Sequence, residues 1–168
     1  MIQVLEVTKE DNPIGLCEKM DAHEKGALHR AFSVLIYNSR GDMLLQKRAD
    51  CKYHSPGKWT NAACGHPVDS SQLTVDSVKA EAKKRLFEEM GIEGALEFSH
   101  KFHYEAKVED LWENEIDYVF IGTYDGEVHP NPAEVSDYKW MPMPELLQDI
   151  EANSDSYTPW FRIIAFSI

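Results

Sequence analysis

The chain has 168 residues, 43% of them hydrophobic and 11% aromatic, which is enough for one domain with a sizeable core and excludes a disordered chain. Its 29 acidic against 17 basic residues give a formal net charge of −12. That sign argues against nonspecific binding to nucleic acid or to an anionic membrane, and leaves room for a small anionic ligand held by a local cluster of Lys and Arg.

Residues 2–7 read as a first strand. Residues 29–38, HRAFSVLIYN, are apolar and β-rich; SRGD then turns the chain and residues 43–47 return, the pattern of a hairpin. Residues 48–69 contain Pro56, Gly57, Gly65 and Pro67 with no sustained period, so they form a long irregular loop of the kind that carries function. Residues 74–90 read as a helix with Thr74 as N-cap, Gly91 just past its end, and an apolar stripe of Val75, Val78, Ala82, Leu86 and Met90. Residues 98–106 and 113–123 are two more strands, followed by an Asp125-Gly126 turn. Residues 144–151 form a short helix, and Thr158-Pro159 opens a last one over 160–166. Strands and helices mix without regular βαβ alternation, so an α/β (α+β) sandwich with a mixed sheet is expected, as a single domain over residues 1–168.

No apolar run approaches the ~20 residues of a membrane-spanning helix, and residues 1–13 lack the pattern of a signal peptide. Cys17, Cys51 and Cys64 are odd in number and make no CxxC; reduced thiols in a cytoplasm are the expected state.

Five groups of residues carry chemistry. Glu113 and Glu115, at i and i+2 of a strand, project from one face. Two carboxylates side by side repel unless a cation lies between them or one stays protonated; a solvated acidic edge is the competing reading. His23, His29 and His66 with those carboxylates suit Zn, Mn or Fe, although their spacing alone does not show that they converge. Cys64 and His66 flank Gly65, and a thiol near an imidazole and a metal serves as acid, base or nucleophile, whereas a free cysteine is commonly a small buried apolar residue. Lys47, Arg48, Lys52 and Lys58 crowd one stretch, with Lys19 before it and Arg85 on the helix, a plausible rim for phosphate or diphosphate. Arg85 and Glu89 form an i,i+4 pair, either a surface salt bridge or a place where Glu89 holds Mg against a ligand phosphate.

Taken in order, these segments resemble type I isopentenyl-diphosphate isomerases, a branch of the Nudix superfamily. CEKMDAH and LHRAFS resemble the family's first histidine segments, QKRADCKYHSPGKWTNAACGHP its loop with the essential cysteine, and KKRLFEEMG its Nudix-type helix. FHYEA, WENE and YTPWF resemble its tyrosine strand, double glutamate and tryptophan segment. The resemblance implies a Nudix-like mixed sheet between helices and the conversion of isopentenyl to dimethylallyl diphosphate through a tertiary carbocation. It implies His23, His29, His66, Glu113 and Glu115 as a His3Glu2 shell for Mn, Mg or Zn. Cys64 and Glu115 become acid/base groups on opposite faces of the substrate, with Tyr104 bonded to the glutamate and Trp160 set against the cation. Lys19, Arg48, Lys52 and Arg85 become diphosphate contacts, and Glu89, with the Cys64 carbonyl, the site of a Mg that accompanies the diphosphate. The family works as a monomer or loose dimer.

A hydrolytic Nudix box, roughly GxxxxxE…REUxEExGU with U a bulky aliphatic, aligns with Ser70, Asp76 and Lys84-Arg85 where it needs Gly, Glu and Arg-Glu; Glu88, Glu89 and Gly91 survive. The loss of metal-binding carboxylates argues against the first alternative, a Nudix pyrophosphohydrolase of a small diphosphate. The second alternative is a non-catalytic prenyl-diphosphate binding protein.

Overall fold

The computed structural model describes residues 1–67 and 74–168. In chain order the elements are β1 (Gln3–Val7), β2 (Pro13–Glu18), α1 (Lys19–Lys25), β3 (His29–Tyr37), β4 (Asp42–Arg48), β5 (Trp59–Thr60), β6 (Ala63–Gly65) and α2 (Val75–Met90). After these come β7 (Glu97–Val108), β8 (Leu111–Thr123), β9 (Val135–Pro142), α3 (Met143–Ala152), a 3-10 turn (Ser154–Ser156) and α4 (Pro159–Ser167). The strands join in one mixed sheet.

β3 organises that sheet because its residues are apolar enough to be buried on both faces. β8 runs parallel to it from His29↔Glu115 to Tyr37↔Thr123, and β7 extends the sheet as an antiparallel hairpin partner of β8. The other edge of β3 is shared among β1 at its start, β6 in its middle and β4 at its end. The expected hairpin of residues 29–38 and 43–47 therefore forms its turn but splays at once: β3 and β4 pair at Tyr37↔Met43, and β4 continues against β9. The opening left by the splay is where β6 enters, carrying Cys64 opposite Ser33.

Alternation on β8 divides its side chains between two cores. Ile116, Tyr118 and Phe120 pack with Val78, Ala82, Leu86 and Met90 of α2. Val119 packs on the other face with Tyr104, Leu146, Trp160 and Phe161. The predicted stripe of α2 is thus the core-facing one. Its ends also match expectation: Thr74 accepts from the Ser77 amide, and Gly91 closes the helix at φ 66, where an added Cβ would lie 2.8 Å from the His129 carbonyl. Thr158 differs. It stands at the N-cap position of α4 but makes no cap bond, because its hydroxyl pairs with that of Thr60.

β2, α1, β9 and the short β5 and β6 inside the long loop were not predicted. The last residues of that loop, 68 and 69, and the alignment position Ser70 lie outside the described residues. Among the described residues no helix is long and apolar enough to cross a membrane.

Candidate active site

The register places the functional residues on one face. Glu115 lies beside His29 and Cys64 beside Ser33; His29 and Ser33 are four apart on β3, so all four side chains share a side of the sheet. β8 and β6 flank β3 on opposite edges, so Glu115 and Cys64 face the same cavity from its two sides. That cavity, about 500 Å3, is lined by both, a size suited to a small ligand.

His23, His29, His66 and Glu115 converge: each offers a ligand atom, and these atoms lie within 4.8 Å of one another. The imidazoles are held from behind. His23 Nδ1 donates to the Trp112 carbonyl at 2.9 Å and His29 Nδ1 to the Ala27 carbonyl at 2.8 Å. With its proton on Nδ1, a neutral imidazole presents a bare Nε2 lone pair. His23 Nε2 is buried with no hydrogen-bond partner among the described residues. His29 Nε2 stands 3.1 Å from Glu115 Oε1, and His66 Nε2 2.8 Å from the same oxygen. Lone pairs aimed at a carboxylate need a proton or a cation between them. Several buried nitrogens and a carboxylate on one point therefore fit a divalent ion.

The structure does not place Glu113 in this convergent set. Tyr104 reaches both carboxylates, donating to Glu113 Oε2 at 3.1 Å and to Glu115 Oε2 at 2.7 Å, while Glu113 Oε1 abuts His54 Nε2. The pair divides its charge. Burial and the adjacent Glu115 charge push Glu113 well above the usual carboxylate range. Burial also works against Glu115, but His66 and the bond from His29 outweigh it and hold Glu115 well below that range. Burial drives His66 down to about 3 and lowers His23. His29 is raised: burial opposes protonation, and the Glu115 contact overcomes it.

On the other side of the cavity, burial pushes the Cys64 thiol up to about 12, with Arg48 opposing. Arg48 Nη1 lies 3.8 Å from Cys64 Sγ, and its guanidinium stands 5.5 Å from the Trp160 ring centroid. Trp160 is buried, and its indole N–H has no hydrogen-bond partner among the described residues. Lys19, Arg48, Lys52, Arg85 and Glu89 all line the cavity. Their charges are partly matched already: Lys52 and Arg85 both pair with Glu134, and Glu89, buried, holds Arg85 Nε and accepts from Gln46. Arg85–Glu89 is therefore a half-buried contact at the cavity mouth and not a free surface pair.

Among the lining residues that escaped the sequence reading are Tyr53, His54, Glu134 and Asp117. Asp117 continues the Glu113–Glu115 alternation, and that period was the signal that could have found it. It is buried, accepts from Ser33 Oγ at 2.7 Å, and burial with the Glu115 charge pushes it well up.

Residues 27–161 match the NUDIX domain family. The chain is 47% identical over 94% of its length to "Isopentenyl-diphosphate Delta-isomerase 2" of Photorhabdus laumondii, covering 87% of that protein. It is 43% identical over 93% of its length to the Burkholderia multivorans protein named "Isopentenyl-diphosphate Delta-isomerase", covering 86% of it. Among solved structures, a Deinococcus radiodurans protein superposes with a TM-score of 0.79 over 98% of both chains at 16% identity. A Methanosarcina mazei MutT protein gives 0.60 over 83% of this chain and 91% of its own, at 20% identity. Those two likenesses speak for the fold, and the relatives for the branch: the chain belongs to the isopentenyl-diphosphate Delta-isomerases of the Nudix family.

Proposed function

We propose that this chain isomerises isopentenyl diphosphate to dimethylallyl diphosphate. The observation that carries the proposal is the placing of Cys64 and Glu115 on opposite sides of one cavity, over a common strand and with Trp160 also in its lining. The reaction adds a proton to C4 of the substrate and removes one from C2, passing through a tertiary cation at C3. It needs two proton-handling groups on two sides of a flat alkene, and water must be kept out. In the resting site Cys64 carries its proton and Glu115 does not. Tyr104 bridges Glu115 to Glu113 and orients it. Trp160 offers its π face to the cation, worth up to ~2 kcal/mol or more when desolvated.

Lys19, Arg48, Lys52 and Arg85 bind the diphosphate, and Glu89 holds the Mg that accompanies it. His23, His29 and His66 with Glu113 and Glu115 would hold a resident Mn, Mg or Zn; that ion, when bound, would supply positive charge that favours the anionic form of the adjacent carboxylate. Glu113 would complete this shell by releasing Oε2 from Tyr104 while Oε1 keeps its contact with His54. The protein acts as one domain, in the cytoplasm, as a monomer or weak dimer, on a small molecule and not on nucleic acid or membrane.

The test is conversion of isopentenyl diphosphate by the purified protein with Mg and Mn, with deuterium uptake in heavy water. Cys64→Ala and Glu115→Gln each abolish both and leave the far-UV spectrum unchanged. Release of phosphate or pyrophosphate without isomer would favour the hydrolase reading. Binding with neither product nor exchange would leave only a binding protein.

A further inference from the structure

His54 belongs to none of the predicted roles, yet it joins three parts of the site. Its ring is buried and lies parallel to Trp160, 5° between planes and 6.1 Å between centroids. Its carbonyl accepts from Arg48 Nε at 3.0 Å. Its Nε2 lies against Glu113 Oε1 in an ion-pair contact and makes no hydrogen bond among the described residues. The backbone is bent to keep it there: Ser55, the next residue, sits at φ 49, in the left-handed region that L side chains rarely adopt. Local strain of this kind is retained where the surroundings over-determine the conformation, and such places cluster at functional sites.

We propose that His54 is a positioning residue for Glu113, setting the direction from which that carboxylate approaches the metal. The inference rests on the isomerase reading only in taking Glu113 as a metal ligand. Glu113 has two oxygens. Tyr104 donates to Oε2 and His54 occupies Oε1, so both are held and its rotamer is fixed. Without His54, Oε1 faces a gap beside Trp160 and the carboxylate swings between orientations. Partners of this second rank orient metal ligands, and losing one costs roughly 10–100-fold in metal affinity or activity. The stacking on Trp160 holds the ring still and makes the Nε2 position definite.

Three substitutions separate the polar role from packing. His54→Phe keeps the ring against Trp160 and removes Nε2; His54→Gln keeps a donor near the Nε2 position and removes the ring; His54→Ala removes both. Mn binding to the metal-free protein is measured by calorimetry. His54→Phe and His54→Ala weaken binding roughly 10–100-fold, and His54→Gln stays within about threefold of wild type by retaining a polar group against Glu113 Oε1. In a Glu113→Gln background, His54→Phe costs nothing further, because both changes act through one carboxylate. Wild-type Mn affinity in His54→Phe, equal losses in Phe and Gln, or an undiminished loss in the Glu113→Gln background would each overturn the proposal. So would unfolding of metal-free His54→Phe, which would make the ring mere core packing. Isomerisation by the wild type is assayed in parallel. If it is absent while the binding pattern holds, the reaction has been misread and the role of His54 stands. If it is present while His54→Phe binds normally, only the role of His54 falls.

Discussion

Asp11→Asn tests what fixes the N-terminal part of the site. Asp11 lies in the loop between β1 and β2, at φ 64, and meets Arg30, a buried arginine on the sheet face opposite the cavity. Arg30 Nε and Nη2 donate to Asp11 Oδ1 at 2.9 and 2.8 Å, and Nη2 to its carbonyl at 2.9 Å. Lys101 donates to Oδ2 at 2.8 Å, and Tyr118 to the same oxygen. Burial raises this carboxyl, but those bonds prevail and hold it below its ordinary value. Removing one partner of a buried pair costs roughly 3–5 kcal/mol. Asn tolerates positive φ and keeps one acceptor, so the lower end applies, about 3 kcal/mol; Lys101 is half exposed and adds little. At about 2–4 °C per kcal/mol for a chain of this size, the unfolding midpoint falls by about 6–12 °C. The depressed pKa sets the pH window. The contribution is fully present above the unfolded carboxyl value near 4, and is lost as pH falls through the lower folded value. Urea unfolding of wild type and Asp11→Asn at pH 7 and pH 5 therefore shows the full difference, which shrinks below pH 4. A loss under 1 kcal/mol at pH 7, or a difference that grows on acidification, refutes the reasoning. The same clamp holds the segment leading into Lys19 and His23, so KM and metal affinity worsen in Asp11→Asn as well.

Trp160→Leu keeps apolar volume but not the π face, and lowers kcat about 30-fold, the equivalent of ~2 kcal/mol; Trp160→Phe loses less, and equal losses in steady-state assays would remove the cation–π role. Metal binding releases protons, because the upward shifts of Glu113 and His29 favour their protonated forms and ligation requires the deprotonated ones. Calorimetry in two buffers of different ionisation enthalpy reads that release, and identical heats would show that neither group is protonated in the metal-free protein. Arg48→Lys keeps charge but not the fork that spans Cys64 and the His54 carbonyl. It raises KM for the diphosphate about tenfold or more, by roughly the 1.5–3 kcal/mol of a charge-assisted bond, in initial-rate assays; an unchanged KM would take Arg48 out of the binding rim.

Some of this arrangement can be read in a single strand. Glu113 and Glu115 share a face because a strand alternates, and Ile116, Tyr118 and Phe120 share the other because they must be buried. α2 is legible for a related reason: its stripe, its cap and its terminal glycine all act within the helix. β9 is not. It reads VSDYKWMP and is half exposed along most of its length, so no alternation marks it; pairing with β4 holds it in place. α1 has seven residues, too few for a period to show, and its side-chain cap comes from Glu18 instead of the usual Ser, Thr, Asp or Asn.

The metal site divides along the same line. That His23, His29 and His66 meet was invisible to spacing, because they come from α1, from β3 and from the residue after β6, which adjoin only once the sheet is closed. The carboxylates predicted to act together are then pulled apart by tertiary contacts: Glu115 to two imidazoles, Glu113 to His54 and Tyr104. A period-2 pattern can say that two carboxyls point the same way, and nothing in it says what each will touch. The division has a chemical consequence. Two equivalent buried carboxylates would compete for one proton, whereas here the surroundings make one the proton holder and the other the anion. The ligand atom ready to meet a cation is on Glu115, already beside His29 and His66, and Glu113 joins only by giving up its proton and its bond from Tyr104. Ordered ligation of that kind makes metal affinity depend on whatever steers Glu113, and Tyr104 and His54 both touch its oxygens.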